Sequence, residues 1–445
     1  MRYLVLLVFV TSWFFPPVSV ADDWPQWLGP QRDSVWRETG LLERFPAGGL
    51  KVKWRVPVEL GYAGPAVAGG KVFVFDYVLD SGSIKNNPGS RVKLQGKERL
   101  LCLDAATGRT LWKHEYECTY AVSYPSGPRC TPTVDGQRVY TLGTEGHLRC
   151  LNIADGKVIW SKNFTEEYEV KTPIWGFAAH PLVDGDHLYC VVGGAGSVAV
   201  AFDKRDGREV WRALSAREPG YCPPTMIQHA ERKQLLVWHP DAVNSLNPRT
   251  GELYWSVPLK PDYAMSIAVP RKLGDYLFAS GIGNVGALMK LDGAKPAAEV
   301  VWRGKTKMAV YCANSTPFLE DGVIYGADCR SGALIAARID DGKRLWETFQ
   351  PTTGQRRAGH GTAFLVKHQD RFFLFSETGD LILARLTAEG YDELDRFHVL
   401  EPTGEAFGRD VVWSHPAFAN RSVYARNDKE LVCVDLAAKG NGGEE

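Results

Sequence analysis

The feature that most constrains the fold is one phrase that recurs along nearly the whole chain. In each copy an apolar segment meets a Gly-containing turn, and a second segment ends in an aromatic residue, as in LLCLDAATGRTLW, LRCLNIADGKVIW and VNSLNPRTGELYW. The copies recur at intervals of 44 to 51 residues, which is the size of a β-propeller blade. The closing aromatic residues are Trp112, Trp160, Trp211, Trp255, Trp302, Trp346 and, in the seventh copy, Phe397.

Each copy predicts half of a four-stranded blade. The phrase itself reads as a β-hairpin, because Gly after a turn-forming residue supplies the positive φ that a tight turn requires. A second hairpin, such as TPTVDGQRVYTLG, precedes it. An isolated blade cannot bury both of its faces, so the units must stack against one another. The repeated Trp residues are therefore expected to pack between neighbouring blades.

The two ends of the chain are predicted to complete one blade together. The last unit, SHPAFANRSVYARNDKELVCVDL, holds three strands and ends near Leu436. The segment KVKWRVPV, with Trp54 at the expected place, supplies the fourth strand. This pairing would close the ring and remove an exposed sheet edge. We therefore predict an all-β, eight-bladed propeller over residues 51–436, preceded by a leader arm at 22–50 and followed by a flexible tail at 437–445.

The N-terminus reads as an export signal. Arg2 precedes a short apolar run, and Ser19-Val20-Ala21 fits the small-residue cleavage pattern, so residues 1–21 are interpreted as a signal peptide. The run is too short for a transmembrane span. We expect an exported, soluble protein, periplasmic or extracellular, and a monomer. The 52 basic and 52 acidic residues balance, which gives no electrostatic reason to bind nucleic acid.

The A-x-D-x-x-T-G-x-x-x-W phrase resembles the Trp-docking repeat of the pyrroloquinoline-quinone (PQQ) family of eight-bladed propellers. That family includes quinoprotein alcohol and glucose dehydrogenases and a non-catalytic, BamB-like branch that serves outer-membrane β-barrel assembly. The repeat is the blade scaffold of both branches, so the resemblance implies the fold without choosing between the functions. The chain has no lipid-anchor Cys near the predicted cleavage site, which departs from the BamB-like branch.

The catalytic branch typically requires two adjacent Cys residues and a Ca²⁺ site built from Glu, Asn and Asp. The chain has no Cys-Cys pair, and no set of these ligand types matches the family's motif. We therefore predict a non-catalytic binding or scaffolding module with no cofactor and no metal. Its partner would be a protein or a small ligand at one propeller face. A PQQ-dependent quinoprotein oxidoreductase, with calcium, acting on an alcohol or sugar remains the alternative.

The candidate ligand-binding residues lie just before the innermost strands, where a propeller brings its segments together at the channel mouth. These segments provide either a binding funnel or a water-filled mouth whose histidines bond to the backbone. If the imidazoles act together, they should face one cavity, and a metal would require their nitrogens to converge. The candidates are His180, His360, His415, Trp175, Trp413, Tyr221, Tyr311, Arg357, Arg409 and Asp410.

Two further features are left open by the sequence. Blade one carries a polar, basic insertion at about residues 78–99, which should project from the funnel face as either a solvated loop or a lid. The nine Cys residues form an odd set, so at least one is unpaired within the chain. Cys118 with Cys130, and Cys312 with Cys329, either form local disulfides or stay free.

Overall fold

The computed structural model describes residues 22–354 and 356–438. These residues form eight antiparallel sheets of four strands, one of which carries a fifth strand. Helix is limited to α1 (Phe164–Glu167) and a 3-10 turn at Asp262–Ala264. The eight-bladed, all-β propeller predicted from the repeat is therefore confirmed. The predicted signal peptide at 1–21 lies outside the described residues, and within them no helix is long and apolar enough to cross a membrane.

In each of blades one to seven the strands pair in chain order, from the first strand at the central channel to the fourth at the rim. The chain begins with β1 and then forms the first three blades. Strand β1 is Val52–Pro57. Blade one contains β2 (Ala66–Ala68), β3 (Lys71–Ser81), β4 (Val92–Asp104) and β5 (Thr110–Glu117), with β6 (Tyr120–Val122) beside β4. Blade two contains β7 (Thr133–Asp135), β8 (Arg138–Leu142), β9 (His147–Asn152) and β10 (Val158–Asn163), and blade three contains β11 (Leu182–Asp184), β12 (His187–Val191), β13 (Ala199–Asp203) and β14 (Glu209–Ala213).

Blades four to seven follow the same plan, and a small hairpin separates blade seven from blade eight. Blade four contains β15 (Thr225–His229), β16 (Arg232–His239), β17 (Ala242–Leu246) and β18 (Leu253–Pro258), and blade five contains β19 (Arg271–Leu273), β20 (Tyr276–Gly281), β21 (Val285–Leu291) and β22 (Ala298–Arg303). Blade six contains β23 (Phe318–Glu320), β24 (Val323–Ala327), β25 (Leu334–Arg338) and β26 (Arg344–Thr348), and blade seven contains β27 (Ala363–His368), β28 (Arg371–Ser376), β29 (Asp380–Leu386) and β30 (Tyr391–His398). The hairpin is β31 (Gly404–Ala406) and β32 (Arg409–Val411), and blade eight contains β33 (Ala417–Ala419), β34 (Ser422–Arg426) and β35 (Glu430–Asp435).

The ring closes as the sequence predicts. Strand β1 pairs antiparallel with β35, with Trp54 opposite Cys433 and Pro57 opposite Glu430. The order of the eighth sheet is therefore β33, β34, β35 and β1. Because β1 covers the outer edge of β35, this blade presents the same four-stranded surface to its neighbours as the other seven.

The repeated Trp side chains join each blade to the next. The Trp112 indole N–H donates to the Ile153 carbonyl of blade two at 3.1 Å, and its ring covers the following turn at Gly156. A Cβ at Gly156 would lie 2.4 Å from that ring, and φ there is +71°, so both space and backbone geometry require Gly. Trp54, Trp160, Trp211, Trp302 and Trp346 make equivalent bonds to Ala105, Lys204, Pro248, Ile339 and Thr387.

Trp255 departs from this pattern. Its indole N–H donates to the Gln234 side-chain oxygen within its own blade, at 3.0 Å. The next turn, at Gly293, has no atom within 4 Å of an added Cβ. This is the junction where the repeat is most degraded in sequence, so the altered contact follows from the altered turn.

The leader arm runs along the inner edges of several innermost strands, inside the channel. Trp24 bridges to Val67 in β2, and Val35 bridges to Lys367 in β27. Trp24, Trp27 and Trp36 are buried, and Arg32 donates to the Pro181 carbonyl at 2.8 Å. The leader is thus part of the core, and it contacts blades one, three and seven.

The predicted flexible tail is ordered at its start. Leu41 bridges to Ala437, and the Ala438 N–H donates to the Gly40 carbonyl at 2.8 Å. The leader therefore holds residues 437 and 438, whereas residues 439–445 lie outside the described part of the chain.

The disulfide alternative is wrong, because all nine Cys residues are free and buried. Cys118 and Cys130 belong to separate apolar clusters, as do Cys312 and Cys329. Cys118 instead faces the His147 ring at 3.8 Å, and Cys329 faces the His360 ring. The Cys118 and Cys130 side chains therefore pack in different local cores, as do those of Cys312 and Cys329.

Candidate functional site

A cavity of about 660 Å³ opens at the face where the innermost strands begin. The segment preceding the first strand of every blade contributes to its wall, so the predicted convergence of these segments on one channel mouth is observed. The blade-one insertion adds Pro88 and Gly89. The other lining residues are Tyr62, Tyr124, Arg129, Ile174, Trp175, Ala178, Tyr221, Tyr263, Met265, Ile267, Ile282, Asn314, His360, Phe407 and Trp413.

Aromatic rings form two walls of the cavity. On one side Tyr124, Phe407 and Trp413 lie with ring centroids 6.1 to 6.4 Å apart. On the other side Trp175 meets Tyr221 edge to face at 5.6 Å. These spacings are those of favourable aromatic contacts. The walls are therefore packed apolar surfaces that remain open toward the cavity.

Four lining residues have backbones in the left-handed region. The φ values are +49° at Tyr124, +58° at Tyr263, +59° at His360 and +51° at Phe407. Bulky residues rarely adopt this region, and each such residue costs roughly 1–3 kcal/mol. Strain of this kind concentrates at binding and catalytic sites. Four of the 19 described non-Gly residues with positive φ line this one cavity, which supports its assignment as the candidate functional site.

A buried carboxylate supports one aromatic wall from behind. Glu377 accepts from the Trp413 indole N–H at 3.3 Å and from the Thr362 backbone N–H at 3.0 Å. Arg409 pairs with the same carboxylate at 2.7 Å and also donates to the Gly359 carbonyl. Glu377 and Arg409 therefore fix the orientation of Trp413 without lining the cavity themselves.

The polar groups at the cavity are few. The hydroxyls of Tyr62 and Tyr221 are enclosed by protein atoms rather than open to the cavity. Arg129 donates to the Ser123 carbonyl at 3.0 Å and also to Gly127 and Tyr124, so much of its hydrogen-bonding capacity is already used. The cavity therefore offers a mainly apolar surface.

The three candidate histidines do not share this cavity, which corrects the grouping expected from the sequence. His180 stacks on leader Trp27 at 4.7 Å, and its Nδ1 accepts from the Thr131 N–H at 2.9 Å. His415 meets the edge of Trp27 at 5.8 Å and lies 3.9 Å from the Phe364 ring. Only His360 lines the cavity, where it stacks on Phe407 at 4.7 Å. The leader, which has no repeat signal, occupies the space around the other two.

All three imidazoles are neutral at pH 7. Desolvation, with a contribution from Arg32, holds the pKa of His180 well below its usual range. Desolvation lowers the pKa of His360 to about 4, with a smaller effect of Arg409, and that of His415 to about 3. Binding that depends on the charge of these imidazoles between pH 5 and 8 is therefore not expected.

We expect the stability of the protein to fall on acidification from pH 7.5 to 5. An unfolded imidazole has a pKa of about 6.5, so below that pH the unfolded chain binds protons that folded His415 and His360 do not. The free energy of unfolding therefore decreases as pH falls through this window. Urea unfolding at the two pH values should show a smaller decrease for His415→Asn than for the unaltered chain. An unchanged pH dependence in His415→Asn, matching that of a His187→Asn control, would contradict this assignment.

The remaining sequence candidates are of three kinds: one is buried away from the cavity, two are exposed, and the others line the cavity. Tyr311 is buried, and its hydroxyl donates to the Lys305 carbonyl at 2.7 Å rather than facing the cavity. Arg357 and Asp410 are exposed and do not line the cavity. Trp175, Tyr221, Trp413 and His360 do line it.

Several lining residues were missed from the sequence. Tyr62 and Arg129 belong to the converging segments and could have been named from their position. Tyr124, Tyr263 and Phe407 sit on left-handed turns, for which their side chains give no propensity signal.

The blade-one insertion leans over the rim of the cavity. It extends the β3–β4 hairpin, and β6 pairs with β4 beside it. Asn86 donates to the Glu405 carbonyl at 2.7 Å, and Arg91 donates to the Thr172 carbonyl at 2.8 Å. These bonds tie the insertion to blades on both sides, so it is a bordering element on the funnel face rather than a loop that extends freely into solvent.

The lining does not fit calcium-bound PQQ. Ca²⁺ takes six to eight oxygen ligands, mostly carboxylates and carbonyls, yet no carboxylate side chain is among the described lining residues. Asn314 offers an amide, whose nitrogen already donates to the His360 carbonyl. A tricarboxylate quinone would also need cationic partners, and the bonds of Arg129 are largely made within the protein.

Comparison with solved structures shows the fold and leaves the function open. BamB from Moraxella catarrhalis aligns with a TM-score of 0.54 at 14% identity, covering 89% of this chain and 99% of that one. Quinohemoprotein alcohol dehydrogenase from Comamonas testosteroni aligns with a TM-score of 0.60 at 14% identity, covering 95% and 82%. The quinohemoprotein alcohol dehydrogenase ADHIIG from Pseudomonas putida gives 0.57 at 14% identity, covering 95% and 81%.

Sequence comparison is more specific than these alignments. No curated protein matches the chain. The family model described as outer membrane protein assembly factor BamB matches residues 96–232 and 240–442, which is well over half of the sequence. The repeat phrase, the eight closed blades and this match agree, and the chain therefore belongs to the BamB family of PQQ-like propellers.

Proposed function

We propose that the protein is an exported, non-catalytic binding propeller that captures an apolar segment of a protein partner in the cavity at the channel mouth. The observation that carries this proposal is the cavity itself. It is large, lined mainly by aromatic and aliphatic side chains, and strained at four lining residues. A rigid concave apolar surface of this kind suits binding.

The composition of the lining favours a protein segment over a small polar ligand. Trp, Tyr, Phe, Met and Arg are the residues enriched at the centres of protein interfaces, and Trp175, Trp413, Met265 and Arg129 are among those that line this cavity. Tyr263 is 76% exposed and Phe407 is 50% exposed at its rim. Exposed aromatic rings beside a cavity give an inserting segment a surface to pack against.

The alternative is a quinone-dependent oxidoreductase. It is supported by the structural similarity to quinohemoprotein alcohol dehydrogenases, which at this identity reports the fold alone. It is opposed by the chemistry of the cavity, where the described lining residues provide no carboxylate to bind a cation or to act as a general base. The binding proposal requires only the groups that are present.

A display selection with random peptides tests the binding proposal. We expect selected peptides to share large apolar residues and to lose about thirtyfold in affinity on Trp175→Ala or Trp413→Ala, because removing a central aromatic contact costs about 2 kcal/mol. Thermal unfolding should show that both variants remain folded. Leu253→Ala, at a residue 49% exposed on the outer strand β18, is the matched control and should bind as the unaltered chain does.

Two results would contradict the proposal. Selected peptides that bind the Trp175→Ala and Trp413→Ala variants as tightly as the control would place binding elsewhere. Saturable binding of PQQ with Ca²⁺, together with dye reduction in the presence of an alcohol or sugar, would establish the oxidoreductase instead.

A further inference from the structure

A mixed cluster of metal-ligating side chains lies outside the cavity, between blades one and two. Glu98 belongs to β4, Cys118 directly follows β5, and His147 begins β9. One carboxylate oxygen, the thiol sulfur and one ring nitrogen all lie within 4.8 Å of one another. The Cys118 Sγ and His147 Nδ1 atoms are 3.8 Å apart. Two ligands of a tetrahedral zinc ion lie roughly 3.3–3.7 Å apart, so small side-chain rotations bring this set to that geometry.

The Glu98 carboxylate of this cluster is held in position by several hydrogen-bond donors. Glu98 is fully buried and accepts hydrogen bonds from the hydroxyls of Tyr116 and Tyr120 and from the Thr144 backbone N–H. A Cβ at Gly143 would lie 2.0 Å from its Oε2 atom, so the absence of a side chain there makes room for the carboxylate. Hydrogen bonds to a ligating carboxylate are the usual means of orienting it toward a metal.

The same carboxylate has no cationic partner among the described residues. Its three donors are neutral groups, and the Arg149 guanidinium stacks on the Tyr116 ring, 3.7 Å from the centroid, rather than pairing with Glu98. A buried anion is costly unless it is paired or coordinates a metal. Thiolate, imidazole and carboxylate together form a donor set typical of Zn²⁺.

We propose that Glu98, Cys118 and His147 bind one Zn²⁺ ion, with a water molecule as fourth ligand. His147 is partly exposed and provides the route of entry. Coordination transfers the Cys118 thiol proton to solvent, and Tyr116 and Tyr120 keep their hydrogen bonds to the outer side of the carboxylate. The ion would join β4, which carries the insertion at the cavity rim, to β9 of the next blade. It would therefore fix the blade-one hairpin to blade two.

The sequence offers no motif for this site. The three ligands are separated by 20 and 29 residues in the sequence, and no C-x-x-C or H-x-x-x-H spacing occurs among them. The blade-to-blade contact alone brings them together, which is why the sequence predicted no metal.

Titration of the untagged, EDTA-dialysed chain with Zn²⁺ alone tests the proposal. Calorimetry should show one ion bound per chain, and Co²⁺ in place of Zn²⁺ should give a thiolate-to-metal charge-transfer band. Cys118→Ser and His147→Gln should each bind Zn²⁺ at least tenfold more weakly and lose that band. Saturating Zn²⁺ should raise the thermal midpoint of the unaltered chain, since a ligand that binds only the folded state stabilises it.

The matched controls are Cys150→Ser, at another buried free cysteine, and His187→Gln, at another partly exposed histidine. Both should bind Zn²⁺ as the unaltered chain does. The absence of Zn²⁺ binding, or undiminished binding in His147→Gln, would overturn the proposal. If Cys118→Ser does not fold, His147→Gln decides the result, because His147 lies at the surface. Neither result of the Zn²⁺ experiment affects the binding proposal for the cavity, because that proposal is tested with different variants and with peptide ligands.

Discussion

A chain that lacks residues 22–57 is expected to lose the cooperative unfolding transition of the intact propeller. The deletion removes β1 and leaves the edge of β35 unpaired along the segment from Glu430 to Val434. It also removes the Trp54 indole, which donates to the Ala105 carbonyl and joins blade eight to blade one. Loss of an aromatic side chain of this size from a packed interface costs about 3–5 kcal/mol, and the exposed strand edge adds a site for aggregation.

The matched comparison is a chain that lacks only residues 22–50. This shorter deletion removes the leader, with Trp24, Trp27 and Trp36, but keeps β1 and therefore keeps the ring closed. We expect a cooperative thermal transition at a reduced midpoint for this chain, and a much lower or absent transition for the longer deletion. Equal midpoints for the two chains would show that β1 contributes nothing to closure, contrary to its pairing with β35.

The fold could be predicted because each blade repeats a local signal. The turn at Gly156 needs a positive φ, and the Trp112 ring covers it. Most copies of the phrase carry this turn and the Trp that covers the turn of the next blade, so the blade number and the closing strand follow from counting copies. The exception at Trp255 occurs where the phrase itself is degraded.

The leader could not be predicted in the same way, because its contacts are with residues far away in the chain. Arg32 bonds to Pro181, and Arg271 donates to the carbonyls of Arg32 and Asp33. No period or spacing signals such contacts. As a result, His180 and His415 looked like free channel residues in the sequence, although both lie against Trp27 of the leader.

The sequence predicted where the candidate site lies, but it identified only some of the residues that line it. The position of a segment before an innermost strand identified Trp175, Tyr221, Trp413 and His360, because propeller geometry brings these segments together. It could not show which neighbouring side chains turn inward. Tyr124 and Phe407 reach the cavity through left-handed backbone conformations, which the surrounding tertiary contacts impose and the local sequence does not encode.

Trp211→Ala is expected to lower the free energy of unfolding by about 3–5 kcal/mol. Trp211 is 8% exposed, its indole N–H donates to the Pro248 carbonyl at 3.0 Å, and its ring covers the turn at Gly251. The substitution opens a cavity between blades three and four that the rigid sheets cannot fill. Urea unfolding should show this loss, while Leu253→Ala, at a half-exposed residue, should change the free energy by less than about 0.5 kcal/mol.

A substitution at Gly251, which lies on the other side of the same contact, gives a second test of it. Gly251→Ala places a Cβ 2.6 Å from the Trp211 ring at a φ of +74°, so it should destabilise the protein through both a clash and backbone strain. In the Trp211→Ala background the clash disappears, and only the strain of the left-handed backbone remains. We therefore expect Gly251→Ala to cost clearly less in that background than in the unaltered chain, as a double-mutant cycle would show. Additive losses would mean that the Trp ring and the turn do not hold the two blades together through this contact.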